Sequence, residues 1–270
     1  MSESNESRKS VRLLHAGGDG PVPEGVALIQ LDRPPLNLID RGMLAELAAV
    51  VESLAAAEDV RAVVLAGAGG RFSAGIEVAE LSELDTLEAT ALALRGQEVL
   101  AGLSSLSQPV VGAVDGACHG GGLELALACD LRLAADDATF GLPQVKLGVV
   151  PGWGATQRLP RLIGEGRARS LILTGRQLDA AAAHAAGLVD EVVAPDKLLP
   201  AALALAGRLA TGPSLAIAAA KEAIAGGCER PLAAGLRLEA AIYGGLYGSE
   251  DQKEGMQAHL QNREPTFRGR

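Results

Sequence analysis

Pro109-Val110-Val111-Gly112-Ala113-Val114-Asp115-Gly116-Ala117-Cys118-His119-Gly120-Gly121-Gly122-Leu123-Glu124 joins a β-branched run to an apolar helical run through three consecutive glycines. Strand, glycine turn and helix in that order point to a layered α/β chain. Glycines at a helix start permit close backbone approach and unusual φ, and they leave free N–H groups aimed outward, where an anion is the natural guest. The run lacks G-x-G-x-x-G spacing, so a nicotinamide or flavin turn is poorly supported. Glu124 falls in the first helical turn, where a carboxylate serves either acid–base chemistry or simply the helix dipole.

Working outward, Val26 to Leu31, Arg61 to Ala66 and Leu131 to Ala134 read as further strands, and Pro109 to Val114 as the strand that feeds the glycine run. Leu123 to Cys129 reads as the apolar helix that follows it. Asp40 caps a helix whose apolar residues Met43, Leu44, Leu47, Val50, Val51 and Leu54 recur at helical spacing. After about Pro160 the strand signals stop. Helices are expected around Leu198 to Ala210, Ser214 to Ala225 and Leu232 to Tyr247, punctuated by Pro213, Pro231 and glycine pairs. The organisation expected is a frayed tail over 1–10, an α/β core over 11–197 and a helical C-terminal region over 198–270.

Two other segments carry candidate chemistry. Arg71-Phe72-Ser73-Ala74-Gly75-Ile76-Glu77 follows the second strand and a glycine turn, at the edge where open α/β sheets bind ligands. There Gly75 leaves the Ile76 N–H pointing into a cleft, although taken alone the segment is an ordinary strand-to-helix loop. Phe140 to Leu159 is too rich in glycine and proline for one regular element, and irregular stretches of that length are usually functional. Its centre holds Trp153, the sole tryptophan, either a packing anchor or a shaper of an acyl pocket.

The 270 residues are 48% apolar, ample for one sizeable core. A net charge of −9 offers no basic footprint for nucleic acid. No apolar run reaches the roughly 18 to 20 residues of a membrane span, and the polar start lacks a signal core. Cys118, Cys129 and Cys228 are odd in number and read as reduced thiols of a cytoplasmic protein. His15, His184 and His259 share no spacing and no cluster has metal-ligand spacing, so no metal is expected.

Four stretches in this order, Leu31-Asp32-Arg33-Pro34-Pro35-Leu36-Asn37, Phe72 to Glu77, Gly120 to Ala126 with Cys129-Asp130, and Pro151 to Leu159, resemble the motifs of the enoyl-CoA hydratase/isomerase (crotonase) superfamily over nearly the whole chain. The resemblance implies a spiral of β-β-α units with a helical C-terminal trimerisation region, assembled as a homotrimer or homohexamer. It implies an acyl-CoA substrate and no cofactor, coenzyme A being part of the substrate. The thioester carbonyl would be held by the N–H groups of Ile76 and Gly121, beside Ala74, Gly75, His119, Gly120 and Trp153, with Glu124 as the base. Glu254 to Phe267 resembles the family's closing helix and extension. Arg33 and Arg71 are CoA-phosphate candidates whose plainer reading is surface arginine. Where the family often has a lysine after the first oxyanion segment, Ala79 and Glu80 stand.

At the position of a second hydratase glutamate this chain has Gln144, whose amide orients water but exchanges no proton in ordinary catalysis. No Asp or Glu lies between Asp137 and Glu165 to replace it. Hydration by Glu124 alone with Gln144 holding the water, double-bond isomerisation by one proton shuttle, another thioester reaction (hydrolysis, decarboxylation or retro-aldol C–C cleavage) and a non-catalytic acyl-CoA-binding trimer all stay open, hydratase/isomerase chemistry leading because Glu124 is present.

Overall fold

The computed structural model describes residues 9–18 and 21–270. Most of the expected N-terminal tail, residues 1–8, lies outside that range. In chain order the elements are β1 (Val11–His15), β2 (Val26–Leu31), α1 (Arg41–Ala55), β3 (Ala62–Gly67), α2 (Val78–Ser82), α3 (Thr86–Ser105), β4 (Val110–Val114), β5 (Ala117–His119), α4 (Gly121–Ala126), β6 (Leu131–Ala135) and β7 (Thr139–Gly141). A 3-10 turn, Pro143–Leu147, leads to α5 (Ala155–Ile163), α6 (Glu165–Thr174), β8 (Gln177–Asp179), α7 (Ala180–Ala185), β9 (Glu191–Val193), α8 (Pro195–Ala210), α9 (Ser214–Cys228), α10 (Leu232–Leu246) and α11 (Glu250–Leu260).

The main sheet runs β1-β2-β3-β4-β6-β9, parallel except for the β1–β2 pair, and a smaller sheet runs β5-β7-β8. Each turn of the chain lays one strand in the large sheet, one short strand or bridge in the small sheet, then helix. β4, β5 and α4 make one such β-β-α unit and β6, β7 and α5 the next, while the Ser73–Cys118 bridge supplies the small-sheet contact for the unit built on β3. The expected spiral is therefore present.

Both faces of the large sheet are covered, which is why its strands read as continuous apolar runs rather than alternating ones. Ala27, Ile29 and Leu31 of β2 with Val63 and Leu65 of β3 enter the core that contains Met43, Leu44, Leu47, Val51 and Leu54 of α1. Val26, Leu28, Val64, Val111 and Leu133 point the other way, into a second core closed by Leu198, Ala202, Leu203 and Ala206 of α8. Thus α8 belongs to the layered body, and the boundary expected near residue 198 falls inside it. Beyond it α9 and α10 pack on each other without one buried residue, leaving Ile224, Leu232, Leu236 and Tyr243 exposed.

Two local expectations are corrected, and one long helix is added. Strands do not stop at Pro160, because β8 and β9 follow; each is three residues long and gains its ladder from β7 and β6 rather than from an apolar pattern of its own. The helix expected at Leu123–Cys129 starts at Gly121 and ends at Ala126. Beyond its end lies the buried Arg132 guanidinium, which donates to the Ala126 and Cys129 carbonyls and to Leu188 O, a favourable place for a cation at a helix C-terminus. The twenty-residue α3 had no place in the sequence reading, although Asp85 and Glu88 form a full capping box at its start.

Asp40 caps α1 as expected: Oδ1 accepts from Met43 N at 2.7 Å while Oδ2 pairs with Arg33 Nε at 3.0 Å. Asp40→Ala should cost about 1 to 2 kcal/mol, lowering Tm by roughly 2–4 °C per kcal/mol. Asp40→Asn keeps the cap and should lose much less. Equal losses for the two variants in thermal melts would mean that the Arg33 pair, and not the cap, carries the effect.

Candidate active site

The site forms where the loop 72–77 is laid against the start of α4. Ser73 N donates to Ala117 O and His119 N to Ser73 O, so the loop runs as an extra strand beside β5. Contact is close: a Cβ on Gly122 would stand 2.3 Å from Ser73 O, and one on Gly75 would stand 3.0 Å from His119 O and 3.6 Å from Gly121 N. Gly75 also turns at φ +116, open to glycine and strained for a side chain. The consequence is a pair of neighbouring amides, Ile76 N–H and Gly121 N–H, that donate to no acceptor among the described residues. Ile76 Cγ1 reaches within 2.7 Å of the Gly121 Cβ position, so the two backbones are adjacent.

Asn37 ties this loop down from below. Buried and at φ +49, it donates from Nδ2 to Ala68 O (3.0 Å) and Arg71 O (2.7 Å), and accepts at Oδ1 from Arg33 N (2.9 Å). Its own carbonyl accepts from Ser73 Oγ, which in turn accepts from Gly75 N. Ile39 N donates to Gly75 O and Glu77 N to Ile39 O. Arg33 spans the same junction, pairing with Asp40 and Glu77 and donating to Leu38 O. It braces the loop. Arg71 NH1 rests on Pro35 O at the surface. Sequence reasoning gave Asn37 no role of its own; the available signal was its place at the end of the Leu31–Asn37 motif.

Glu124 is wholly buried one turn into α4. Its Oε1 accepts from Trp153 N at 2.7 Å and Ala155 N at 3.1 Å, and its Oε2 receives a long contact from Gln144 Nε2 at 3.4 Å. Burial raises its pKa from the ordinary 4.5 to about 7, against the pull of the Ala155, Trp153 and Gly154 N–H groups. Gln144 Oε1 is also buried, and no group among the described residues donates to it. Gly120, at φ +52, brings its Cα near the Gln144 amide, its Cβ position being 3.4 Å from Nε2.

The remaining site candidates separate by what they touch. Trp153 is 3% exposed, its indole wedged between Gly96 of α3 and Gly121 of α4. His119 offers its backbone to the Gly75 turn, but its half-buried imidazole bonds Thr139 Oγ1 at 3.1 Å on the small sheet, and burial favours its neutral form. Ala74 N is consumed by Leu36 O. Asp115, which sequence reasoning passed over, is raised to about 6 by burial first and by Asp137 less. No group of three His, Cys, Asp or Glu side chains converges as metal ligands would among the described residues.

The family model for "Enoyl-CoA hydratase/isomerase" matches residues 22–270. A Rhizobium meliloti protein described as "Probable enoyl-CoA hydratase" is 43% identical over 247 residues, covering 91% of this chain and 95% of that one. A crotonyl-CoA hydratase of Syntrophomonas wolfei is 37% identical over 246 residues, 90% of this chain and 95% of its own. The crystal structure of an enoyl-CoA hydratase from Bacillus anthracis superposes with a TM-score of 0.91 at 35% identity, covering 97% of this chain and all of that one.

The raised carboxyl of Glu124 has a measurable cost. Between pH 4.5 and about 7 the folded chain retains a proton that the unfolded chain releases. This group's contribution to stability is therefore full below the lower value and is lost as pH rises through the upper one, a change on the order of 3 kcal/mol. Glu124→Gln keeps an oxygen for the Trp153 and Ala155 amides and cannot ionise. Its stability relative to wild type, read from denaturant melts, should rise from pH 5 to pH 8. A difference that does not vary with pH would show that the carboxyl is not raised.

Proposed function

Because the chain belongs to the enoyl-CoA hydratase/isomerase family, we propose that it acts on an acyl-CoA thioester through an enolate, with Ile76 N–H and Gly121 N–H as the oxyanion hole and Glu124 as the one proton-transfer residue. The observation that carries this reading is the buried carboxylate one turn from two unpaired amides. A thioester oxygen gains negative charge when a base takes an α-proton or when oxygen adds at the β-carbon. Two preset donors meet that charge without reorganising, and losing one donor of such a hole typically costs about 2.7 to 4 kcal/mol of barrier.

A pKa near 7 lets Glu124 accept and return a proton at neutral pH. In isomerisation the carboxylate takes the α-proton of a 3-enoyl-CoA, electrons pass through the dienolate to the thioester oxygen, and the carboxylic acid returns the proton at the γ-carbon. In hydration the carboxylate takes a proton from water as its oxygen bonds to the β-carbon, then protonates the α-carbon. The unpaired Gln144 Oε1 is an acceptor for the water's second hydrogen, and a water there would satisfy an otherwise stranded buried oxygen. Isomerisation asks less of the residues present, since it needs neither water nor a second carboxylate. Ala74, Gly75, Gly120 and the His119 backbone form the wall beside the donors in this reading, and Trp153 borders the acyl group.

The assembly proposed is a homotrimer or homohexamer in the cytoplasm, and its support is the unburied apolar face of α9 and α10. No single helix among the described residues is long and apolar enough to cross a membrane.

The test compares wild type, Glu124→Gln and Gln144→Glu on crotonyl-CoA and a 3-enoyl-CoA, with products identified by mass. Wild type should convert at least one of the two, and Glu124→Gln should lose about 10²–10⁴ of that rate with acyl-CoA affinity retained. Gln144→Glu should raise hydration relative to isomerisation by about 10-fold or more. Full activity in Glu124→Gln, or no turnover by wild type, overturns the assignment.

A further inference from the structure

The indole of Trp153 is packed between Gly96 of α3 and Gly121 of α4. Resting on the function proposed above, a substrate with its carbonyl on Ile76 N–H and Gly121 N–H must turn its α- and β-carbons toward the Glu124 carboxylate. That carboxylate is held at 2.7 Å by the backbone N–H of Trp153 itself, so the ring begins within one hydrogen bond of the chemistry. The ring then bridges two helices. Its Cζ3 stands 3.0 Å from the position a Gly121 Cβ would take on α4, and its Cδ1 and Nε1 stand 2.2 Å from the position a Gly96 Cβ would take on α3.

Gly96 is thus the counterpart of the tryptophan. It lies inside the twenty-residue α3, where glycine is a poor helix former, on a face continued by the buried Val99, Leu100 and Leu103. No other residue fits there, because any side chain strikes the ring. The loop is also tied to α3, with Gln97 Nε2 donating to Gly152 O at 2.8 Å, and α5 beyond it is held to α3 by Arg158 donating to Ser104 Oγ at 3.2 Å. A tryptophan with two stiff torsions, packed on both sides and almost wholly buried, does not swing aside at small cost.

We propose that Trp153, seated on Gly96, is the floor of the acyl pocket and restricts the site to short acyl groups, of the butyryl rather than the decanoyl class. Removing the indole opens an apolar slot along the Gly96 face of α3, which longer tails enter.

Saturated acyl-CoAs test this without any turnover. Butyryl-CoA and decanoyl-CoA are titrated calorimetrically into wild type, Trp153→Ala and Trp153→Leu, the leucine variant guarding against loss of folding in the alanine one. Wild type should bind butyryl-CoA at least about 10-fold more tightly than decanoyl-CoA, and both variants should shift that ratio toward decanoyl-CoA by about 10-fold or more, the alanine variant further. Gly96→Ala should weaken butyryl-CoA binding in wild type, yet have little effect when combined with Trp153→Ala. Decanoyl-CoA binding wild type as tightly as butyryl-CoA, an unchanged ratio in the variants, or binding of neither ligand overturns the proposal. Chain-length discrimination without turnover of any enoyl-CoA would sink the catalytic reading and leave the floor standing. Equal turnover of short and long enoyl-CoAs would do the reverse.

Discussion

Glycine at residue 122 lets two backbones meet at a distance no side chain would permit, since a methyl there would collide with Ser73 O at 2.3 Å. The site hangs on that approach. It draws the loop 72–77 onto α4 and sets Ile76 N–H beside Gly121 N–H, while the opposite side of the loop is fastened through Asn37, Ser73 and Ile39 to the segment entering α1. Each of these bonds joins stretches some thirty residues apart in sequence, so the donor pair is a property of the assembled layers and of no single turn.

The same burial that fixes α4 also sets its chemistry. A carboxylate with no solvent contact is costly unless it is bonded or protonated. Glu124 takes a middle course, with the Trp153 and Ala155 amides on one oxygen, a long amide contact on the other, and a pKa raised to about 7. A second carboxylate at 144 would add like charge to this enclosed space and push one of the two pKa values higher still. Gln144 avoids that repulsion and, in the mechanism proposed, forgoes a second proton carrier.

Much of the frame was legible in local pattern. The strand Val26–Leu31 was placed residue for residue, and the ends of the strands feeding the site moved by no more than one residue, because strands covered on both faces leave long β-branched runs. The Asp40 cap and the α1 face likewise follow from spacing alone. The three-residue β8 and β9 escaped because their pairing partners, not their composition, make them strands. α3 escaped for a different reason. Its capping box was there to be read, but its exposed face is too mixed in polarity to announce a helix.

What the sequence by itself determined is the layered α/β order, the glycine run before an acidic helix turn, the lack of any Asp or Glu between Asp137 and Glu165, and the resemblance that these motifs carry. All of these are short-range facts, encoded in periodicity, turn chemistry and residue identity within a few positions. Only the tertiary structure decided that two unpaired amides lie side by side, that Glu124 is desolvated enough to hold its proton near neutrality, that Arg33 braces a loop between Asp40 and Glu77, and that Trp153 fills the gap above Gly96. Desolvation and convergence depend on which distant segments exclude water from one another. No window of sequence contains that information, because both depend on the packing of all the layers at once.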